Sequence, residues 1–189
     1  MSTPKNHDFR ERRLSRRQKK VDVFLLPSGK QFRVIAEMQD SVHHMRITVV
    51  IDQPSLIIRK IDCEMIAVPD ELCRDALTFF DPLIGKRVAG GVMRNLKISK
   101  NQGCTHLVDL FRDACYNIPL AQSQLGEEQL TALFPGITDE QLYNIFLWFK
   151  PDLENSCIRY ASDSPFMSKL NNTPMPDGAE KLRATIKSR

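Results

Sequence analysis

The stretch Val42 to Ile51 (VHHMRITVVI) constrains the fold more than any other part of the chain. Met45, Ile47, Val49 and Ile51 alternate with His44, Arg46 and Thr48, and a strict period of two is the signature of a half-buried strand. A one-residue slip would turn every apolar side chain to water, so the register of this strand is firmly specified. Its neighbours must supply the rest of a sheet.

They do so on both sides. Val21 to Leu26 is a short apolar run, and Pro27-Ser28-Gly29-Lys30 then signals a turn. Gln31 to Gln39 resumes with Phe32, Val34, Ala36 and Met38 at a period of two, which reads as the second arm of a hairpin. Asp40-Ser41 breaks it. After the clear strand, Asp52-Gln53-Pro54-Ser55 forms a turn, and Leu56 to Val68 reads as a further strand, long enough to be bent or bulged. Ile57, Ile61, Cys63, Met65 and Ala67 are expected on one face. A meander of three or four antiparallel strands is the economical arrangement.

Pro69 ends the strands, and the pattern turns helical. Pro69-Asp70-Glu71 is helix-start chemistry, and Leu72, Cys73, Ala76, Leu77 and Phe80 form an apolar stripe that Pro82 and Gly85 close. Lys86 to Gln102 reads as an irregular connection, and a helix is expected from about Cys104 to Ala121. A short helix over Gly126 to Phe134 should end at Pro135-Gly136. Thr138-Asp139-Glu140-Gln141 is a capping box that starts a helix over Leu142 to Phe149. Cys157 to Tyr160 suits a short terminal strand or a packed segment. The expected organisation is a basic arm at 1–20, a single domain at 21–165 (sheet 21–68, helical part 69–150) and a tail at 166–189 with at most a frayed helix. The fold class is α+β, with helices on one face of a small antiparallel sheet.

Charge is unevenly placed. Residues 1–20 carry eight Lys/Arg against two Asp/Glu, leaving 19 basic and 21 acidic residues for the rest of the chain. Such an arm can meet phosphates electrostatically, but no aromatic residue interleaves with Arg10 to Lys20. A solvated leader is therefore preferred to a nucleic-acid interface. No apolar run nears the length that spans a bilayer and no secretion signal is seen, so no membrane partner is expected and the protein reads as cytoplasmic. The five cysteines, odd in number and scattered, read as reduced thiols.

Chemistry is concentrated in Asn101 to Arg112 (NQGCTHLVDLFR). Cys104 and His106 fall in a helical first turn, where free N–H groups and the helix dipole favour anions and thiolates. Gly103 permits close backbone approach and Thr105 adds a hydroxyl. His43 faces the core side where the clear strand begins, and Cys73 occupies another helix start. Cys73, Cys104, His106 and His43 (or His44) are the candidate ligands of a site that would suit zinc or iron, although no zinc-finger spacing is present. Each has a plainer reading: Cys73 as packing, His106 as a partner of Asp109, His44 as an exposed residue, and Cys63 and Cys115 as core filler. Three functions compete. The first is metal or sulfur handling. The second is a small lyase or hydrolase with Cys104 as nucleophile or His106 as acid–base group, acting on a small metabolite, aromatic ones included. The third is a binding module that uses the basic arm.

These residues also carry a resemblance. His43-His44-Met45 opening a strand, Pro69 to Cys73, and Gly103-Cys104-Thr105-His106-Leu107 together resemble a bacterial family known only as a domain of unknown function, number two-eight-eight-nine. The likeness covers about Arg33 to Ala121, with an echo at Cys157 to Asp163. That family tends to show His-Asp-Met where this chain has His43-His44-Met45, and the resemblance implies no established activity. In order of elements the chain is also similar to NifU-type iron–sulfur scaffold proteins, through Met45 to Val49, Pro69 to Cys73, Leu83 to Lys86 and Cys104. That likeness implies the same α+β class. The scaffolds' first cysteine, followed by Gly-Asp, has no counterpart here.

Overall fold

The computed structural model describes residues 12–89, 91–95 and 103–187. The chain forms two compact units, Met1–Ala121 and Gln122–Arg189. Most of the basic arm (residues 1–11) and most of the Lys86 to Gln102 connection after Asn95 lie outside the described residues.

The first unit holds a four-stranded antiparallel sheet in the order β1-β2-β3-β4, made of β1 (Gln18–Leu25), β2 (Gln31–Gln39), β3 (His44–Asp52) and β4 (Ile58–Ala67). This is the expected meander. Phe32 pairs with Ile51, Val34 with Val49, Ala36 with Ile47 and Met38 with Met45, so the apolar rows of β2 and β3 register on one face. Those eight side chains are at most 2% exposed. Burying each such side chain is worth roughly 1.5–3 kcal/mol, which is why this row fixes the fold.

On the opposite face Lys20, Glu37, Arg46 and Glu64 lie opposite one another across the strands. Alternating charge suits a wetted surface and favours this register. Glu37 accepts from His44 Nε2 at 2.7 Å and from Arg46 NH2 at 3.1 Å, so His44 belongs to this polar face.

Two local features differ from expectation. The fourth strand starts at Ile58, because Leu56 N donates to Asp52 O and Asp52 N to Ile57 O and so tie Leu56 and Ile57 into the turn. A register shift between Val50 and Ile51 then sets Ile58, not Ile57, opposite Ile51. The first strand begins at Gln18, three residues earlier than expected, because Gln18, Lys19 and Lys20 still find partners in Gln39, Met38 and Glu37.

Residues 71–80, expected as one α-helix, fold as a 3₁₀ segment (Glu71–Ala76) followed by turns, and Asp81–Leu83 forms a second 3₁₀ segment. Asp70 caps the first by accepting from Leu72 N at 2.8 Å. Bonds of i→i+3 type, such as Leu77 N to Arg74 O, close this stretch between Pro69 and Pro82. Phe80 reaches the long helix α1 (Thr105–Leu133), where its ring meets Phe111 at 5.2 Å. Leu107, Leu110, Phe111, Ala114 and Ile118 of α1 are at most 1% exposed. They complete the core of the first unit.

Helix α1 runs without a break through residues expected to form two helices, and it contains Pro119. Gln122 to Leu125 gives the chain no reason to stop. Gly126, which would weaken an exposed helix, is held where an added Cβ would stand 3.3 Å from Phe146.

The second unit packs the end of α1 with α2 (Asp139–Phe149), α3 (Pro165–Asn171) and α4 (Ala179–Lys187). Leu130, Leu142 and Ile145 form its core, with Phe134, Phe146, Trp148, Met175 and Leu182 around them. The Thr138 capping box is present. Arg159 lies 4.1 Å from the Phe166 ring centre and 4.8 Å from that of Tyr143. Cys157 to Tyr160 is therefore held through Arg159 and Tyr160 while Cys157 and Ile158 stay exposed, with 3₁₀ geometry at Ile158–Tyr160, and is not a strand. The expected tail contains α3 and α4. Ser164 caps α3 by accepting from Met167 N at 3.1 Å, and Met167 and Leu170 are buried, which holds this region in place. Among the described residues no helix is long and apolar enough to cross a membrane.

Candidate functional site

The site lies in the first unit, where the loop before β3 meets the first turn of α1. Gly103 sets the entry to that turn. Its φ of +87° favours glycine, and an added Cβ would stand 2.8 Å from the Phe79 ring. Cys104 follows, and its carbonyl accepts the first helical bond, from Val108 N at 3.0 Å. His106 is thereby placed one residue into α1, half-buried.

His43 comes to meet it. The centres of the two imidazoles are 4.3 Å apart, with the rings tilted by 47°. Asp40 orients His43. Its carboxylate accepts from the backbone N–H of Val42 at 2.8 Å and of His43 at 2.7 Å, and it lies 3.2 Å from His43 Nδ1. Those two backbone bonds, then the Arg17 guanidinium, hold the Asp40 carboxyl well below the usual carboxylate range. An ionised Asp40 can only accept a hydrogen bond, so Nδ1 of His43 carries the N–H and the lone pair sits on Nε2.

Arg17 is the fourth member. It donates to Asp40 Oδ2 through Nε at 2.9 Å and NH2 at 2.6 Å, and NH2 lies 3.4 Å from His106 Nε2. A guanidinium can only donate, so this contact assigns the His106 lone pair to Nε2 and its proton to Nδ1. Burial first, then the charges of His43 and Arg17, push the His106 imidazole below its ordinary value. The neutral ring is favoured near pH 7. Lys19 Nζ, 2.8 Å from Asp113 Oδ2, ties β1 to α1 beside the site.

The predicted residues therefore separate. His43 and His106 converge, and Cys104 is two residues from His106. Cys73 stands on the 3₁₀ segment Glu71–Ala76, and no hydrogen bond, ion pair or ring contact among the described residues ties it to either imidazole. Cys104 is instead close enough to Cys63 to add to the burial, and to Asp81 and Asp62, that push the Cys63 thiol up to about 12. Burial does the same to Cys115. Both are packing residues rather than nucleophiles. Asp109, expected beside His106, is held by Arg112 NH1 at 3.1 Å. Among the described residues no three His, Cys, Asp or Glu side chains group so as to hold a metal ion.

Asp40 and Arg17 went unrecognised in the sequence. An Asp three residues before a histidine at a strand break is the local signal for Asp40, since its side chain caps the backbone of Val42 and His43. Arg17 stood within a leader read as solvated, and nothing local marks it.

No curated protein and no solved structure matches the chain. A family model matches residues 19–117, which takes in all of the sheet but Gln18, together with His43, Cys73, Cys104 and His106. On that match, over more than half its length, the chain belongs to the family described as protein of unknown function DUF2889.

Proposed function

We propose that Asp40, His43 and His106 form the acid–base centre of a small enzyme, a lyase or hydrolase acting on a small metabolite. The observation that carries this reading is the 4.3 Å approach of the two imidazoles with Asp40 on Nδ1 of one of them. In this reading His43 Nε2 takes a proton from substrate or water, and Asp40 stabilises the imidazolium that results. His106, kept neutral by burial and by Arg17, donates from Nδ1 to the oxygen that gains charge. Cys104 lines the same turn and is the candidate for a covalent step. The metal- or sulfur-handling reading, with zinc or iron on Cys73, Cys104, His106 and His43, draws less support. It needs Cys73 beside the imidazoles, and no contact among the described residues links them.

The test incubates the full-length chain with a panel of small esters, thioesters and hydroxy acids, followed by mass spectrometry, beside His43→Gln and His106→Gln. At least one compound should be converted, with a loss of about 10²–10⁴-fold in His43→Gln. Conversion that persists in both variants removes the assignment. One equivalent of tightly held zinc or iron, lost in Cys104→Ser, would install the metal reading in its place.

A further inference from the structure

A cavity of about 320 Å³ opens on another flank of α1. Arg112, Cys115, Tyr116 and Pro119 line it at the i, i+3, i+4, i+7 spacing of a single helical stripe. His106 and Asp113 are seven residues apart and share a different stripe, the one that meets Arg17 and Lys19. The cavity is thus separate from the histidine pair. Its remaining walls include Leu56, Val88, Val92 and Ile118.

We propose that this cavity is a binding site for a small hydrophobic carboxylate. Three observations carry the assignment. The walls are aliphatic, and they run from a floor at Ile118, 1% exposed, to a rim at Tyr116, 73% exposed. That gradient suits a ligand whose apolar end is buried and whose polar end is wet. Among the described lining residues Arg112 is the one that carries charge, so the polar end that complements it is an anion. Among the described residues Arg112 gives only NH1, to Asp109, which leaves Nε and NH2 to grip a carboxylate by two parallel bonds. The apolar interior also accounts for the upward push on the Cys115 thiol. Leu56, at a φ of 60° that is uncommon for leucine, forms part of the wall.

The test uses the full chain and three probes of one shape: hexanoate, 1-hexanol and hexylamine. Binding is read from methyl NMR signals of Val88, Val92 and Ile118. Hexanoate should shift all three signals saturably, hexanol should bind about tenfold more weakly, and hexylamine should bind least, as expected for loss of a charged hydrogen bond. Arg112→Gln should bring hexanoate down to the hexanol level and leave hexanol unchanged. Ala89→Phe, at an exposed position on the rim, should block both. Equal affinity for the three probes, undiminished hexanoate binding in Arg112→Gln or Ala89→Phe, or no saturable shift of these methyl groups would each overturn the proposal.

Discussion

The imidazole of His43 stands 4.3 Å from that of His106, although one precedes a strand and the other opens a helix. Rings this close cannot both be imidazolium cations cheaply. Burial and the neighbouring charges resolve the conflict by holding His106 below its ordinary value of 6.5. Folded His106 therefore binds its proton less tightly than unfolded His106 does. Between the depressed value and 6.5 the unfolded chain holds more protons, so stability rises with pH across that window and is complete above it. Urea midpoints should fall as pH drops from about 7.5 to about 5, with a shallower fall in His106→Gln. Parallel curves would show that His106 contributes nothing to the slope.

Arg17 contributes to that depression and to the ionised state of Asp40. Replacing it by glutamine should raise both values, which carbon-13 NMR of the carboxyl and the imidazole would report. A His106 signal that titrates identically in Arg17→Gln would mean that the 3.4 Å contact is without electrostatic effect.

The sheet was readable because its information is local. Met45, Ile47, Val49 and Ile51 each state their face by alternation, and Phe32 to Met38 repeat the statement on the next strand. The place of His106 is legible for the same reason, at a helix start, whereas His43 lies one residue before β3 and is set by the Asp40 turn. Asp40 was mistaken for a simple breaker because its role is to cap its own backbone, a function that resembles a break. Arg17 acts across 89 residues and leaves no periodic trace. Cys73 lies in a stretch whose apolar spacing suits an α-helix but which folds as a 3₁₀ segment. The continuity of α1 through Gly126, which packs against Phe146, is a property of the fold that the local sequence does not state.

Gly103 should tolerate no side chain. A residue other than glycine at φ +87° costs about 1–2 kcal/mol, and the Cβ would in addition press on Phe79. Gly103→Ala should lower the unfolding free energy by at least that amount and disturb the His106 signals. A loss below about 0.5 kcal/mol, within the range of an ordinary surface substitution, would mean that the turn is not held as described.

The second unit offers an independent check. Thr138 Oγ1 accepts from Gln141 N at 3.3 Å, and the Gln141 side chain accepts from Thr138 N at 3.0 Å. Thr138→Ala should cost about 1 kcal/mol in chemical denaturation, whereas Thr138→Ser should cost little. Equal losses in the two variants would assign the effect to the methyl group instead of the cap.

The central claim, that His43 and His106 act as one electrostatic unit, is tested most directly by titrating His106 in the wild type and in His43→Gln by imidazole NMR. With the His43 charge removed, the His106 value should rise toward 6.5. A His106 value unchanged by the substitution would contradict the pairing, and the acid–base assignment would fall with it.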